Sequence, residues 1–291
     1  MFQGSMVALI TPFDGEGVDE ASLRKLVRHH LDHGTHAIVA VGTTGEATTL
    51  SKPEYKRVVE ISVQETAGQI PVIAGAGSNN PTDAIAYAEI AADVGADAVL
   101  HVMGYYNRPN QEGIYQHFNL LNQTTRLPII AYNVPPRTII DIQPDTMAKI
   151  ATLENVVGVK DATCDLSRPL KERVLIGDRD FCFLSGEDPT TVAYNANGGV
   201  GCISVSANVA PALCAQLQTL CAEQDFKSAL EMQLELMPLH QSLFIEPSPA
   251  GAKYAASLLG LCNDTCRTPI VELEQQTKVA IQNAMSNLSL I

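Results

Sequence analysis

At 291 residues the chain is longer than most single-core domains, yet an α/β barrel absorbs about 250 residues as one unit. Its 46% hydrophobic and 18% charged residues exclude a disordered chain, and its net charge of −13 argues against nucleic acid or an anionic membrane as a partner. Small anionic ligands stay open, because they respond to the local field of a site more than to net charge.

In chain order, the first residues, Met1-Phe2-Gln3-Gly4-Ser5, lack the basic end and apolar core of a signal peptide. No apolar stretch approaches the roughly 20 residues of a membrane span, so the chain reads as cytoplasmic. Short β-type runs then recur at 6–11, 37–41, 71–76, 98–103, 128–133, 156–160, 181–185 and 200–205. Helix-type stretches such as 20–33, 53–66, 82–94, 112–125 and 144–151 lie between them, several opened by capping or first-turn residues: Asp19, Ser51 before Pro53, and Pro81-Thr82-Asp83. The strand starts are spaced by roughly 20 to 35 residues, the length of one βα unit.

Runs such as Ile70-Pro71-Val72-Ile73-Ala74 and Pro128-Ile129-Ile130-Ala131-Tyr132 are apolar at nearly every position, as suits strands covered on both faces by helices. Units of this kind close most simply into a TIM (β/α)8 barrel. The rival, an open doubly wound sheet, would more often carry a Gly-rich nucleotide loop after its first strand, and Thr11-Pro12-Phe13-Asp14-Gly15 is not one. The expected organisation is a barrel over 1–206 and a wholly helical C-terminal bundle over 207–291, packed on the barrel.

Seven cysteines (Cys164, Cys182, Cys202, Cys214, Cys221, Cys262, Cys266) are an odd number spread over a large chain, which fits reduced thiols rather than a disulfide framework. Cys262 and Cys266 have no His or second Cys pair nearby to make a zinc site. His29, His30 and His33 lie on a predicted helix and read as a solvated face. No metal and no cofactor is expected.

Lys160 is the residue that points to chemistry. It stands alone in the run Val156-Val157-Gly158-Val159-Lys160-Asp161-Ala162, and an apolar strand is a costly place for an ammonium. An amine held there leans toward its neutral, nucleophilic form, able to attack a ketone or aldehyde as a Schiff-base former. The plainer reading is a strand-end lysine that snorkels to water or pairs with Asp161.

Other polar groups also fall just past strand ends: Gly42-Thr43-Thr44-Gly45-Glu46, Gly104-Tyr105-Tyr106-Asn107, Tyr132-Asn133-Val134-Pro135-Pro136-Arg137, Ser185-Gly186-Glu187-Asp188 and Ile203-Ser204. In a TIM barrel those ends share the face that carries active sites. Each has a structural and a chemical reading. The Thr43-Thr44 loop is either a turn or a set of N–H groups and hydroxyls for a carboxylate. Tyr132 either packs in the barrel or serves as general acid and base beside Lys160. Tyr105 and Tyr106 suit a core or an interface. Arg137 is a solvated charge or a fork for a carboxylate.

Gly42-Thr43-Thr44-Gly45-Glu46, Tyr105-Tyr106-Asn107, Tyr132-Asn133-Val134-Pro135-Pro136-Arg137-Thr138 and Gly158-Val159-Lys160-Asp161 together resemble the signatures of the dihydrodipicolinate synthase and N-acetylneuraminate lyase superfamily. The resemblance runs from Gly4 to about Ala280. Thr43-Thr44 and Arg137 look like the dihydrodipicolinate synthase branch, since neuraminate lyases typically carry Ser-Thr in the first motif and lack this arginine. The resemblance implies a Schiff base between Lys160 and pyruvate, with Tyr132, Thr43 and Tyr106 as a proton relay and Tyr106 supplied by a neighbouring subunit. It also implies main-chain N–H groups of Thr43 and Thr44 on the pyruvate carboxylate, Arg137 on the carboxylate of L-aspartate-4-semialdehyde, and carbonyls of Gly186 and Ile203 lining the pocket. A homotetramer, a dimer of dimers, comes with it.

Many members of that family bind L-lysine at a dimer interface, and the matching positions here are Ala47, Thr48, Lys52, Tyr55, Asn79, Asp83 and Tyr105. Lysine-sensitive relatives often carry two histidines where this chain has Lys52 and Tyr55, a departure that weakens the expectation of feedback. Two rival functions are a pyruvate lyase acting on a keto-sugar acid, against which Arg137 and Thr43 argue, and a non-catalytic barrel that binds a 2-keto acid. The second would need a missing nucleophile or relay, and none is missing.

Overall fold

A computed structural model describes residues 2–15 and 17–291. The chain opens with β1 (Gly4–Ala8), a small antiparallel hairpin of β2 (Phe13–Asp14) and β3 (Gly17–Val18), and α1 (Glu20–Asp32). Next come β4 (Ala37–Ala40), α2 (Lys52–Thr66), β5 (Val72–Gly75), α3 (Pro81–Asp93), β6 (Ala98–Val102) and α4 (Gln111–Thr124). They are followed by β7 (Ile129–Asn133), the single turn α5 (Pro135–Thr138), α6 (Pro144–Ile150), β8 (Val156–Asp161) and α7 (Arg168–Ile176). After these lie β9 (Cys182–Ser185), α8 (Thr191–Ala196), β10 (Gly201–Ser204), α9 (Pro211–Ala222), α10 (Phe226–Ser242), α11 (Ala250–Leu258) and α12 (Gln275–Asn287).

Eight parallel strands close a barrel in the order β1-β10-β9-β8-β7-β6-β5-β4, the TIM architecture expected from the apolar runs. Each predicted strand overlaps an observed one. The first differs most, because Leu9, Ile10 and Thr11 are buried beyond the end of the ladder. There the Ile10 N–H is satisfied by the Asn208 side chain at 3.0 Å, so burial outruns strand pairing. The hairpin of β2 and β3 escapes sequence reading because two-residue strands carry no period.

Helix starts follow their caps. Asp19 accepts from the Ser22 N–H at 2.9 Å, and Ser51 and Glu54 form a reciprocal capping box with Pro53 in the first turn of α2. Asn80 caps α3, and Pro81-Thr82-Asp83 form its first turn as expected.

Two expectations need correction. Residues 207–291 are not wholly helical: 259–274, which include Gly260 and Pro269, form an irregular segment between α11 and α12. His30 is not on a solvated face but fully buried under α1, its Nδ1 2.9 Å from Thr35 Oγ1, and burial pushes its imidazole down to about 3. The exposed His33 at the end of α1 does match that expectation.

The interior of the barrel is filled by Met6, Ala8, Val39, Ile73, Leu100, Ile130, Tyr132, Leu184 and Ile203, an apolar column. A second core between barrel and helices gathers Leu23, Leu26, Val58, Ile61, Ile114, Phe118 and Met147. In the C-terminal part, α9 packs on β1, α10 packs on α9 and α12, and Leu217, Leu236, Leu239, Ile281 and Met285 form a third cluster.

Candidate active site

Tyr132 on β7 and Lys160 on β8 are register partners, so their side chains leave the sheet on the same face. Alternation along β8 turns Gly158 and Lys160 inward and Val159 and Asp161 outward. Gly158 is required there, because a Cβ at that position would lie 2.1 Å from Cys182 Sγ on the neighbouring strand. Lys160 is buried, 6% exposed, and its Nζ lies 4.2 Å from the centre of the Tyr132 ring. Among the described residues no carboxylate lies within ion-pairing distance of that amine.

Asp161, the partner of the plainer reading, faces the other way. Its carboxylate accepts the Thr163 N–H at 2.8 Å, and burial raises its pKa despite that bond. Lys160 is thus an unpaired amine at the C-terminal mouth of an apolar barrel, with a phenol beside it. That pairing supplies a nucleophile and a proton carrier.

The strand order puts β4 diametrically across the barrel from β8, so the loop after β4 faces Lys160 over the mouth. Thr43 on that loop is exposed and Thr44 is 6% exposed. The loop closes on itself through Gly45 N–H to the Gly42 carbonyl at 3.1 Å and Glu46 N–H to the Thr43 carbonyl at 3.1 Å. Arg137, in the single turn α5 after β7, is exposed and pairs with no carboxylate among the described residues. Gly186 follows β9, its N–H donating to the Asp161 carbonyl at 2.6 Å, and Ile203 is buried on β10.

Tyr106 behaves unlike the others. It is 93% exposed and holds a left-handed backbone, φ +71°, which a bulky residue rarely adopts. No hydrogen bond links Tyr132, Thr43 and Tyr106 within the described residues. The chain brings Lys160 and Tyr132 together and leaves Tyr106 at the surface.

The sequence matches the dihydrodipicolinate synthetase family over residues 1–288. The chain belongs to that family. It is 53% identical over 291 residues, all of both chains, to the 4-hydroxy-tetrahydrodipicolinate synthase of Parvibaculum lavamentivorans. It is 50% identical over 293 residues, again all of both chains, to that of Brucella suis biovar 1. Among solved structures, the chloride-inhibited dihydrodipicolinate synthase of Acinetobacter baumannii, complexed with pyruvate, is 39% identical and superposes with a TM-score of 0.97 over 100% of each chain.

Several of the positions expected from the sequence to hold an effector lie close together. Lys52 Nζ lies 3.4 Å from Asp83 Oδ1, and Asn80 donates to the other Asp83 oxygen at 2.8 Å. Asn79 donates to the Tyr105 carbonyl at 3.2 Å. Tyr55 is buried, its hydroxyl donating to the Tyr87 carbonyl at 3.3 Å, and burial pushes its phenol up. Ala47 and Thr48 sit in the turn that leads into α2.

Sequence reading picks out Asp188 only as part of a strand-end motif. In the fold its buried carboxylate accepts from Ser204 Oγ at 2.5 Å and from the N–H groups of Val205 at 2.9 Å and Ser206 at 3.2 Å. It thereby fixes the turn after β10 that carries Ile203. Ser206 in turn meets His240 Nδ1 at 2.7 Å, tying α10 to the rim, and burial lowers the pKa of that imidazole. Nothing local in the sequence marks His240 as a partner of that turn. A separate open cavity of about 810 Å³, lined by Gly4, His36, Arg173 and Gly199 among others, opens at the opposite end of the strands and contains no lysine.

Proposed function

We propose that the enzyme condenses pyruvate with L-aspartate-4-semialdehyde to give 4-hydroxy-tetrahydrodipicolinate, in lysine and diaminopimelate biosynthesis. The observation that carries this reading is the unpaired Lys160 amine, buried at the barrel mouth against the Tyr132 ring. In this reading Lys160 adds to the ketone of pyruvate, and loss of water gives an imine. The imine loses a methyl proton to become an enamine, whose carbon adds to the aldehyde. The amine of the second substrate then attacks the imine carbon, closing the ring and releasing Lys160. Each proton transfer needs a carrier with access to both the amine and the solvent side, and Tyr132, Thr43 and Tyr106 are assigned that relay.

Main-chain N–H groups of Thr43 and Thr44 are assigned the pyruvate carboxylate, and the exposed Arg137 fork the carboxylate of the semialdehyde. The carbonyls of Gly186 and Ile203 line the pocket. Tyr106 belongs to the neighbouring subunit's site, a reading supported by its exposure and left-handed backbone. The assembly is a homotetramer built as a dimer of dimers. Exposed apolar side chains on α7 (Leu170, Val174) and on α10 (Leu230, Leu234) are available for a second contact. A cytoplasmic setting fits the seven free cysteines. Among the described residues no helix is long and apolar enough to cross a membrane.

Borohydride reduction in the presence of pyruvate, followed by peptide mass mapping, tests the reading directly. A covalent adduct on the Lys160 peptide is expected, and its absence from active protein overturns the assignment. Coupled assays with aspartate semialdehyde and with keto-sugar-derived aldehydes then identify the second substrate.

A further inference from the structure

The loop that carries Thr43 and Thr44 is bounded by two left-handed residues that are not glycine, Val41 with φ +50° and Glu46 with φ +56° and ψ +38°. Such backbones persist only where the surroundings over-determine them. On the inner side, Thr11 Oγ1 donates to the Gly45 carbonyl at 2.7 Å. Gly45 itself is pressed close, since a Cβ there would lie 3.0 Å from both the Leu9 carbonyl and Val41 Cα. On the outer side the restraint comes from the C-terminal part of the chain.

Glu46 is 5% exposed, and its Oε1 lies 2.5 Å from the Nζ of Lys253, a residue of α11 that is 0% exposed. Its Oε2 accepts the main-chain N–H of Arg267 at 2.8 Å. Lys253 also donates to the Thr265 carbonyl at 2.7 Å and stands 4.0 Å from the centre of the Phe13 ring. The Arg267 guanidinium lies 4.3 Å from that same ring centre, donates to the Thr49 carbonyl at 2.8 Å and pairs with Glu54 at 2.5 Å. The irregular segment 259–274 is therefore the strap that holds the outer side of the Thr43-Thr44 loop.

We propose that Lys253 is a positioning residue for the reaction: through its buried pair with Glu46 it fixes where Thr43 and Thr44 stand across the barrel mouth from Lys160. This rests on the assignment of Thr43 and Thr44 to pyruvate given above. Lys253 acts through Glu46, two residues beyond Thr44, rather than through any substrate atom. Without the Lys253 amine, the Glu46 carboxylate is left buried with one N–H partner, a costly state. The escape open to it is to turn toward water, which means leaving the left-handed conformation and carrying Thr43 and Thr44 along. A misplacement of about 1 Å in a positioning group costs on the order of 100-fold in rate.

The test uses the full-length enzyme and counts competent sites by borohydride trapping of pyruvate on Lys160, so that kcat and KM are expressed per trapped site. K253M is expected to trap pyruvate but with pyruvate KM raised about 10-fold and kcat per site lowered roughly 10- to 100-fold. The double variant E46Q/K253M, which has no unpaired carboxylate, is expected to recover part of that loss. E46D keeps the charge but shortens the reach, so it shows a smaller loss in the same direction and serves if K253M does not fold. Unchanged kcat and KM per trapped site in K253M, or in E46D in its place, would overturn the proposal and leave the pair with a purely structural role. Failure of the wild-type enzyme to trap pyruvate at Lys160 would instead overturn the proposed reaction, and this inference with it.

Discussion

Lys160 can be singled out from sequence because it closes the apolar run Val156-Val157-Gly158-Val159, where the one local partner for a cation is the adjacent Asp161. What the fold adds is the direction of the side chain. Asp161, one residue on, leaves by the opposite face of β8 and is occupied by the Thr163 N–H, so the nearest carboxylate in sequence is not the nearest group in space. Lys160→Ala is expected to abolish imine trapping with pyruvate while leaving the far-UV circular dichroism spectrum unchanged, since the change removes a long side chain at the barrel mouth. Full turnover with trapping at another lysine would end the assignment. Tyr132→Phe keeps the ring beside the amine and removes only the hydroxyl. Turnover is expected to fall by roughly 10²- to 10⁴-fold while imine trapping continues, as suits a proton carrier.

At the level of elements, strands buried on both faces are readable because their apolar runs are short, regularly spaced and bounded by turn residues, and helices because their caps are local. Contacts between distant elements are not readable in that way. Glu46 and Lys253, or Ser206 and His240, give no signal until the barrel closes and α10 and α11 fold back over its rim. The same is true of the outer face of β8, where Arg168 of α7 binds Asp141 and donates to the Ile142 carbonyl at 2.8 Å.

Glu172 lies on that helix, 1% exposed, with one oxygen 3.8 Å from Arg168 and the other without a partner among the described residues. Burial first, then the nearby Asp161 carboxylate, raises its pKa from 4.5 to about 8. A raised carboxyl pKa means that the folded state favours the protonated form. The associated stability is complete below about pH 4.5 and is lost as the pH rises through about 8. Glu172→Gln preserves the shape without the charge, and Arg168 retains Asp141. Its melting temperature is therefore expected to match wild type near pH 4.5 and to exceed it by a margin that grows up to about pH 8 and then levels off. At about 1.4 kcal/mol per pH unit the gain reaches a few kcal/mol. A melting-temperature difference that does not change with pH would show that Glu172 ionises freely in the folded state.

The loop–helix surface around Lys52 bears on regulation at the same scale. Asp83, the acidic group available to an amino-acid effector, already has the Lys52 ammonium at 3.4 Å and the Asn80 amide at 2.8 Å. An incoming ammonium would have to displace or approach Lys52. Like charges at 4 Å repel by about 4 kcal/mol at an effective dielectric near 20, reduced here because Lys52 is half exposed. L-Lysine is therefore expected to inhibit weakly or not at all in steady-state assays up to millimolar concentration, and Lys52→His to increase any inhibition. Strong, saturable inhibition that disappears in Tyr105→Phe or Asp83→Ala would show that the site works despite Lys52.

For the whole molecule, the relay proposed above calls on a tyrosine that the single chain leaves at its surface. Thr43 faces Lys160 from the opposite side of the mouth, yet Tyr106 is 93% exposed on its own chain, and its left-handed backbone is a conformation that needs outside support. A symmetric dimer provides such support twice, because in an isologous contact each chain gives the other the same residue. Complementation follows from that geometry. Lys160→Ala and Tyr106→Phe are each expected to be inactive or nearly so as pure assemblies. In a mixed dimer, however, the site containing the intact Lys160 receives its tyrosine from the Lys160→Ala subunit and is complete, while the other site lacks both groups. Unfolding and reassembling equal amounts of the two variants should therefore restore activity to about a quarter of wild type, since half of the dimers are mixed and each has one working site. If Tyr106 served its own subunit, no arrangement of the two variants would assemble a complete site. Verified mixed oligomers with no recovered activity would then place the relay within one chain, and the exposure of Tyr106 would need another cause.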